Sequence, residues 1–175
     1  MFLKEKVKNY LGSISNILYK ERGDIMGKYY EELEIGNVYS HRLTRTVTET
    51  DNLLFTTLTH NSQPLHLDEE FAKETIYKER VVNSLFTLSL LVGVTVEDLT
   101  AGTTLGNLGF SETVFPNPVK IGDTLRFVTD IVDKRESKSR PGTGIVTFEH
   151  KAFNQQNLLV AKTKRNGLML MQNEM

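Results

Sequence analysis

Ten consecutive residues, Thr59 to Asp68, hold His60, Asn61, Gln63, Pro64, His66 and Asp68. Two imidazoles and two carboxamides combine groups that titrate near neutral pH with groups that hold a water or a carbonyl. The proline fixes its own φ and drives Gln63 towards extended backbone, so the Gln63-Pro64 step cannot lie inside a helix. Irregular backbone between regular elements is where catalytic and binding side chains concentrate. A polar surface loop has the same composition, and on composition alone both readings stand.

The flanking pattern places this loop between two helices. Thr48 or Thr50 can cap the first, with Glu49 and Asp51 in its first turn complementing the helix dipole. Leu53, Leu54 and Leu58 are its expected buried face. Asp68 is a natural N-cap for a short helix with Phe71 and Ile76 facing inward. Residues 81–94 are apolar almost all round, broken only by small residues, and so predict the central helix of the core, capped by Asn83 or Ser84. Val38 to Val47 reads as a half-exposed strand. Four further strands are expected at Thr103–Val114, Thr124–Val132, Gly144–Phe153 and Leu158–Met171. One long buried helix followed by consecutive strands predicts an α+β domain whose antiparallel sheet covers that helix.

Ahead of this domain, residues 3–18 place Leu3, Val7, Tyr10, Leu11, Ile14, Ile17 and Leu18 at helical spacing, with lysines opposite. Three readings stay open for this N-terminal extension, residues 1–26. It is a membrane or partner helix, a helix packed on its own domain, or the product of a start assigned too early. The last follows because Glu21-Arg22-Gly23 can be encoded by a purine-rich run resembling a ribosome-binding site just before Met26. The intact mass of natively expressed protein decides, since a species beginning at Met1 rules that reading out.

At 175 residues with 21 basic and 22 acidic side chains, net charge -1, the chain has no bulk electrostatic reason to bind nucleic acid. It has no cysteine, which removes disulfides, thiolate metal sites and a cysteine nucleophile. No apolar run approaches the roughly 18 to 20 residues needed to span a bilayer, and the charged opening does not read as a signal peptide. The expectation is a cytoplasmic protein. No His or carboxylate pair has metal-ligand spacing, and neither a phosphate-binding glycine loop nor a nucleophile elbow is present.

Three linked pieces then carry a resemblance. They are Gln63-Pro64-Leu65-His66-Leu67-Asp68-Glu69-Glu70-Phe71-Ala72, Val81-Val82-Asn83-Ser84-Leu85, and Pro118-Val119-Lys120-Ile121-Gly122-Asp123-Thr124. In this order and at these separations the chain, from about Tyr29 to Leu170, resembles the MaoC-like hydratases and dehydratases of the hot-dog fold. The resemblance implies interconversion of 2-enoyl and 3-hydroxyacyl thioesters of coenzyme A, no cofactor, and a homodimer or higher assembly. It places the catalytic His at His66 and the motif's Asn at Gln63, while the motif's Asp position holds Asn61. A neutral amide cannot accept the proton of a water, so His66 must carry the proton transfer while Asn61 positions the water. His60 is a second titrating group within reach of the motif.

The family's second motif implies that the backbone N–H of Ser84, at the start of the central helix, polarises the thioester carbonyl beside Asn83. A serine further along that helix often meets substrate in the family, but here the position is Val92. The resemblance extends to hydratases of branched or dicarboxylic C4 to C5 acyl-CoAs in the same superfamily, and so implies substrates of the mesaconyl type. Lys138 and Arg140, in the run Glu136 to Gly142, are candidates for coenzyme A phosphates or an acyl carboxylate; a solvated charged turn is the alternative. His41 and His150 lie on strand patterns, where most histidines are structural. Two rival functions remain: thioester hydrolysis, which lacks a carboxylate on the central helix before Glu97, and non-catalytic acyl-CoA binding, which Asn61 favours.

Overall fold

The computed structural model describes residues 27–172. Strands β1 (Val38–Ser40) and β2 (Arg45–Thr46) precede helices α1 (Glu49–Leu58), α2 (Pro64–Leu67), α3 (Glu69–Lys73) and α4 (Ser84–Thr95). Val96–Thr100 continue α4 as a π-helical turn. Strands β3 (Thr104–Val114), β4 (Thr124–Glu136), β5 (Thr143–Phe153) and β6 (Leu159–Leu170) follow. The sheet order is β1-β4-β5-β6-β3 with antiparallel pairing throughout, and β2 pairs with the start of β4. The α+β expectation is therefore met. The strand expected over Val38–Val47 is instead two short pieces on either side of an irregular stretch. The expected N-terminal helix lies outside the described residues. Among the described residues no helix is long and apolar enough to cross a membrane.

Alternation sets the inner face of the sheet. On β4 it presents Leu125, Phe127, Thr129 and Ile131, and on β5 Val146, Phe148, His150 and Ala152. The apolar ones pack in two clusters, one against α4 and one against Leu99 of the π-helical turn. One gathers Val47, Val82, Leu91, Val94, Leu125, Phe127 and Ala152; the other gathers Leu33, Leu99, Ile131, Val146, Phe148 and Met169. Burying such side chains contributes about 1.5–3 kcal/mol each relative to exposure. The outer face of β4, β5 and β6 carries Asp130, Glu149, Lys151 and Lys162, joined by ion pairs of 2.7–3.6 Å.

Three packing expectations are overturned. Leu53, Leu54 and Leu58 are exposed, and the buried residues of α1 are Asn52 and Thr56. Phe71 and Ile76 are exposed too, and Ala72 is what α3 buries. Helix α4 buries Thr87, Leu91, Val94 and Thr95 but leaves Leu85, Ser89 and Gly93 open along another face, so it is covered on fewer sides than its composition predicts.

Candidate functional site

Helix α1 begins as expected, with Thr48 and Asp51 in a reciprocal capping box. It ends with His60 in the left-handed region at φ 53°. The His60 N–H donates to the Thr57 carbonyl and the Asn61 N–H to the Thr56 carbonyl, 3.1 and 3.0 Å away. Those two bonds form a Schellman stop that turns Asn61 into the loop. The Asn61 Oδ1 then accepts the Gln63 N–H at 3.0 Å. Its acceptor oxygen is thereby committed to the turn, and its Nδ2 is the group left to hold a water or a carbonyl. Gln63 caps α2 through its extended backbone, Pro64 takes the first helical position, and the Gln63 carboxamide stays exposed.

His66 sits on α2 with its Nδ1 2.8 Å from the Val81 carbonyl. A carbonyl only accepts, so Nδ1 carries the proton, and Nε2 of the neutral ring keeps its lone pair. This is the tautomer a general base needs. Val81 is tied in turn to Lys120 by an isolated bridge, and the Val82 N–H donates to Val119, so all three resembling segments meet here.

Asn52 joins the pieces, and sequence reasoning missed it. Fully buried on α1, it donates from Nδ2 to the His66 carbonyl at 2.9 Å and accepts the Asn83 N–H on Oδ1 at 3.0 Å. One carboxamide thus fixes the His66 segment against the start of α4. Arg80 clamps the same junction from outside, with a bidentate pair to Glu49 and a bond from Nε to Glu69. Its attachment to both acids holds the Arg80 guanidinium above its ordinary pKa.

Asn83 is a correction. Expected to touch substrate, it is 2% exposed, its Oδ1 accepts the Leu85 N–H, and its Nδ2 faces the Thr56 hydroxyl. It caps α4 and positions its neighbour. Ser84 opens α4, so its N–H has no intrahelical acceptor and lies at the positive end of the helix dipole. The fold therefore brings Asn61, Gln63, His66 and Ser84 to one loop–helix junction.

Lys138 and Arg140 do not join them within the chain. They sit beyond the far end of β4, whose start lies against the junction. That thirteen-residue strand is roughly 40 Å of extended chain at about 3.3 Å per residue. Both are exposed, and Lys138 makes no side-chain bond among the described residues. Among the described residues no group of three His or carboxylate side chains could hold a metal ion.

Comparison with known proteins agrees with this layout. The family model described as MaoC like domain matches residues 31–153. The mesaconyl-CoA hydratase of Cereibacter sphaeroides is 29% identical over 130 residues, 74% of this chain and 37% of that protein. The chain thus spans well under half the length of that relative. The (R)-specific enoyl-CoA hydratase of Rhodospirillum rubrum is 29% identical over 106 residues, 58% of this chain and 68% of the relative. Among solved structures, the monoamine oxidase regulatory protein from Archaeoglobus fulgius is superposable with a TM-score of 0.76 at 31% identity, covering 83% of this chain and 96% of that one. A Mycobacterium tuberculosis protein with a double hotdog fold gives 0.76 over 85% of this chain and 46% of that one. With the model spanning most of the described residues, the chain belongs to the MaoC-like domain family and has its hot-dog fold.

Proposed function

We propose that the protein is a hydratase/dehydratase interconverting 2-enoyl and 3-hydroxyacyl thioesters of coenzyme A. The observation that carries this reading is the His66 ring, locked by the Val81 carbonyl with Nε2 free, beside the unpaired N–H of Ser84. In hydration, His66 Nε2 takes a proton from a water held by Asn61 Nδ2 as the water oxygen bonds to C3. The electron pair of the C2–C3 double bond moves into the thioester, and the enolate oxygen is stabilised by the Ser84 N–H. The imidazolium returns a proton to C2, and atoms and charge balance. Dehydration reverses these steps.

A second copy of the chain is the proposed partner. Strand β3 is an edge of the sheet and presents Leu105, Leu108, Phe110 and Val114, each 45–51% exposed. Edges of that length and polarity are normally covered. A cytoplasmic location, no cofactor and no metal complete the proposal.

Purified protein incubated with crotonyl-CoA and, separately, mesaconyl-CoA tests it. Loss of the conjugated thioester absorbance without free thiol is the expected result. Thiol release makes the protein a thioesterase, and binding without either signal makes it an acyl-CoA-binding protein. The last is the reading that the committed oxygen of Asn61 favours. Asn61→Asp separates the two readings, because aspartate keeps the acceptor for Gln63 and adds a second base. Hydration of crotonyl-CoA is expected to rise about tenfold; no gain means that Asn61 has a different role.

A further inference from the structure

Between the two apolar clusters a polar belt crosses the inner face of the sheet. Thr129, His150 and Thr163 are register neighbours on β4, β5 and β6, and the Thr163 hydroxyl meets that of Thr113 on β3 at 2.7 Å. At one end Asp98 Oδ2 holds His41 Nδ1 at 2.6 Å, and His41 Nε2 lies 2.8 Å from the Thr129 hydroxyl. That hydroxyl lies 2.8 Å from His150 Nδ1. The chain of bonds then stops. Among the described residues His150 Nε2 is buried without a hydrogen-bond partner, and so are Nε and Nη2 of Arg165, the next inward residue after Thr163 on β6.

Arg165 is 6% exposed and His150 is 0% exposed. The guanidinium lies 5.1 Å over the Phe148 ring, and that ring stacks on the His150 imidazole at 5.7 Å. Burial pulls Arg165 down only to about 10, so it is a cation at neutral pH. Among the described residues no carboxylate pairs with it. A buried unpaired charge costs several kcal/mol, and the same site filled by an anion recovers much of that. Thr87 adds a third orphan: its hydroxyl is buried on α4 without a partner among the described residues, about 4.5 Å along the helix from Ser84.

We propose that Arg165 and His150 form the terminal subsite of the acyl pocket, receiving the free carboxylate of a short dicarboxylic acyl thioester. Arg165 Nε and Nη2 offer two parallel donors of the kind that grip a carboxylate bidentately. His150 Nε2 is a third donor when the Thr129 hydroxyl donates into Nδ1. The carboxylate site is thus inside the core and not at Lys138 and Arg140. The subsite rests on the thioester reading above, and its test is independent of turnover.

The experiment is calorimetric titration of the full chain with freshly prepared succinyl-CoA and butyryl-CoA, two thioesters of equal carbon number that have no double bond to hydrate. The wild type is expected to bind succinyl-CoA at least tenfold more tightly. Arg165→Met is expected to bring the ratio of affinities to about one, and Arg165→Lys, which keeps the charge but not the fork, to an intermediate value. Should Arg165→Met fail to fold, Arg165→Lys and His150→Gln carry the test by the same ratio. No preference in the wild type, or a preference that survives these substitutions, overturns the subsite. So does a change of oligomeric state with an unchanged ratio, which assigns the anion to a second copy of the chain. Failure to bind either thioester removes the pocket altogether. A wild type that shows the preference without hydrating either crotonyl-CoA or mesaconyl-CoA refutes the hydratase and leaves the subsite standing.

Discussion

The junction that carries His66 and the inner face of the sheet both bury polar side chains, but only the first pairs them all. At the junction Asn52 uses both ends of its carboxamide, Asn83 caps α4, and the Thr56 hydroxyl faces Asn83. On the sheet, His150 Nε2 and two nitrogens of Arg165 have no hydrogen-bond partner among the described residues. A satisfied buried network rigidifies what it touches, whereas an unsatisfied one is costly until something fills it. The difference separates a region that positions chemistry from a region prepared for a ligand.

The largest effect is expected where positioning ends in chemistry. His66→Ala removes the free Nε2 and should lower kcat/KM by about 100- to 10,000-fold. Far-UV circular dichroism should be unchanged, because only one partly buried bond to Val81 is lost. Undiminished hydration would take His66 out of the site.

Two substitutions set the regions against each other directly. Asn52→Ala strands the His66 carbonyl and the Asn83 N–H in the interior and should cost about 2–4 kcal/mol of stability. Arg165→Met should act in the opposite direction, raising stability by about 1–3 kcal/mol in the absence of ligand, because an unpaired buried cation gives way to packing. Urea denaturation measures both. Equal losses would mean that Arg165 has a partner in the assembled protein, and the contrast would collapse.

Acid sharpens the same contrast. Burial first, then the charge of Arg165 and then His41, push His150 well below the ordinary histidine range. The unfolded chain therefore binds a proton that the folded chain refuses. The stability from this group is complete above about pH 6.5 and is lost as pH falls towards the lowered folded value, by at most about 1.4 kcal/mol per pH unit. Arg165→Met removes one of the causes, raises the folded value and should narrow that window. An acid limb that is identical in the variant would show that Arg165 does not act on His150.

The asymmetry also explains what could be read from the chain. Local signals were legible: Thr48, Asp68 and Asn83 all cap the helices they were expected to cap, whereas the helical turn Pro64–Leu67 lies in a stretch read as an irregular loop. The motif residues Asn61, Gln63, His66 and Ser84 do converge. Asn52 was not legible, since periodicity searches for apolar faces and α1 buries a polar one. The belt was hidden because threonines on a strand look ordinary. A signal for Arg165 did exist: Lys162 and Lys164 occupy one parity of β6, which leaves Ala161, Thr163 and Arg165 facing inward. Asn83 failed as a ligand because its place at a helix start demands its oxygen for the backbone.

The smallest effect tests the corrected face of α1. Leu54 is 57% exposed and Leu58 71% exposed, on a helix that holds the site through Asn52 and Thr56 instead. If no other surface covers those leucines, Leu54→Ser should change stability by no more than about 0.5 kcal/mol and leave hydration untouched. A loss above about 1.5 kcal/mol that grows as the protein is diluted would mean that α1 packs on a second copy. The leucines that periodicity picked out would then be buried after all, by an assembly and not by the fold, and the junction would be braced from both sides of the same helix.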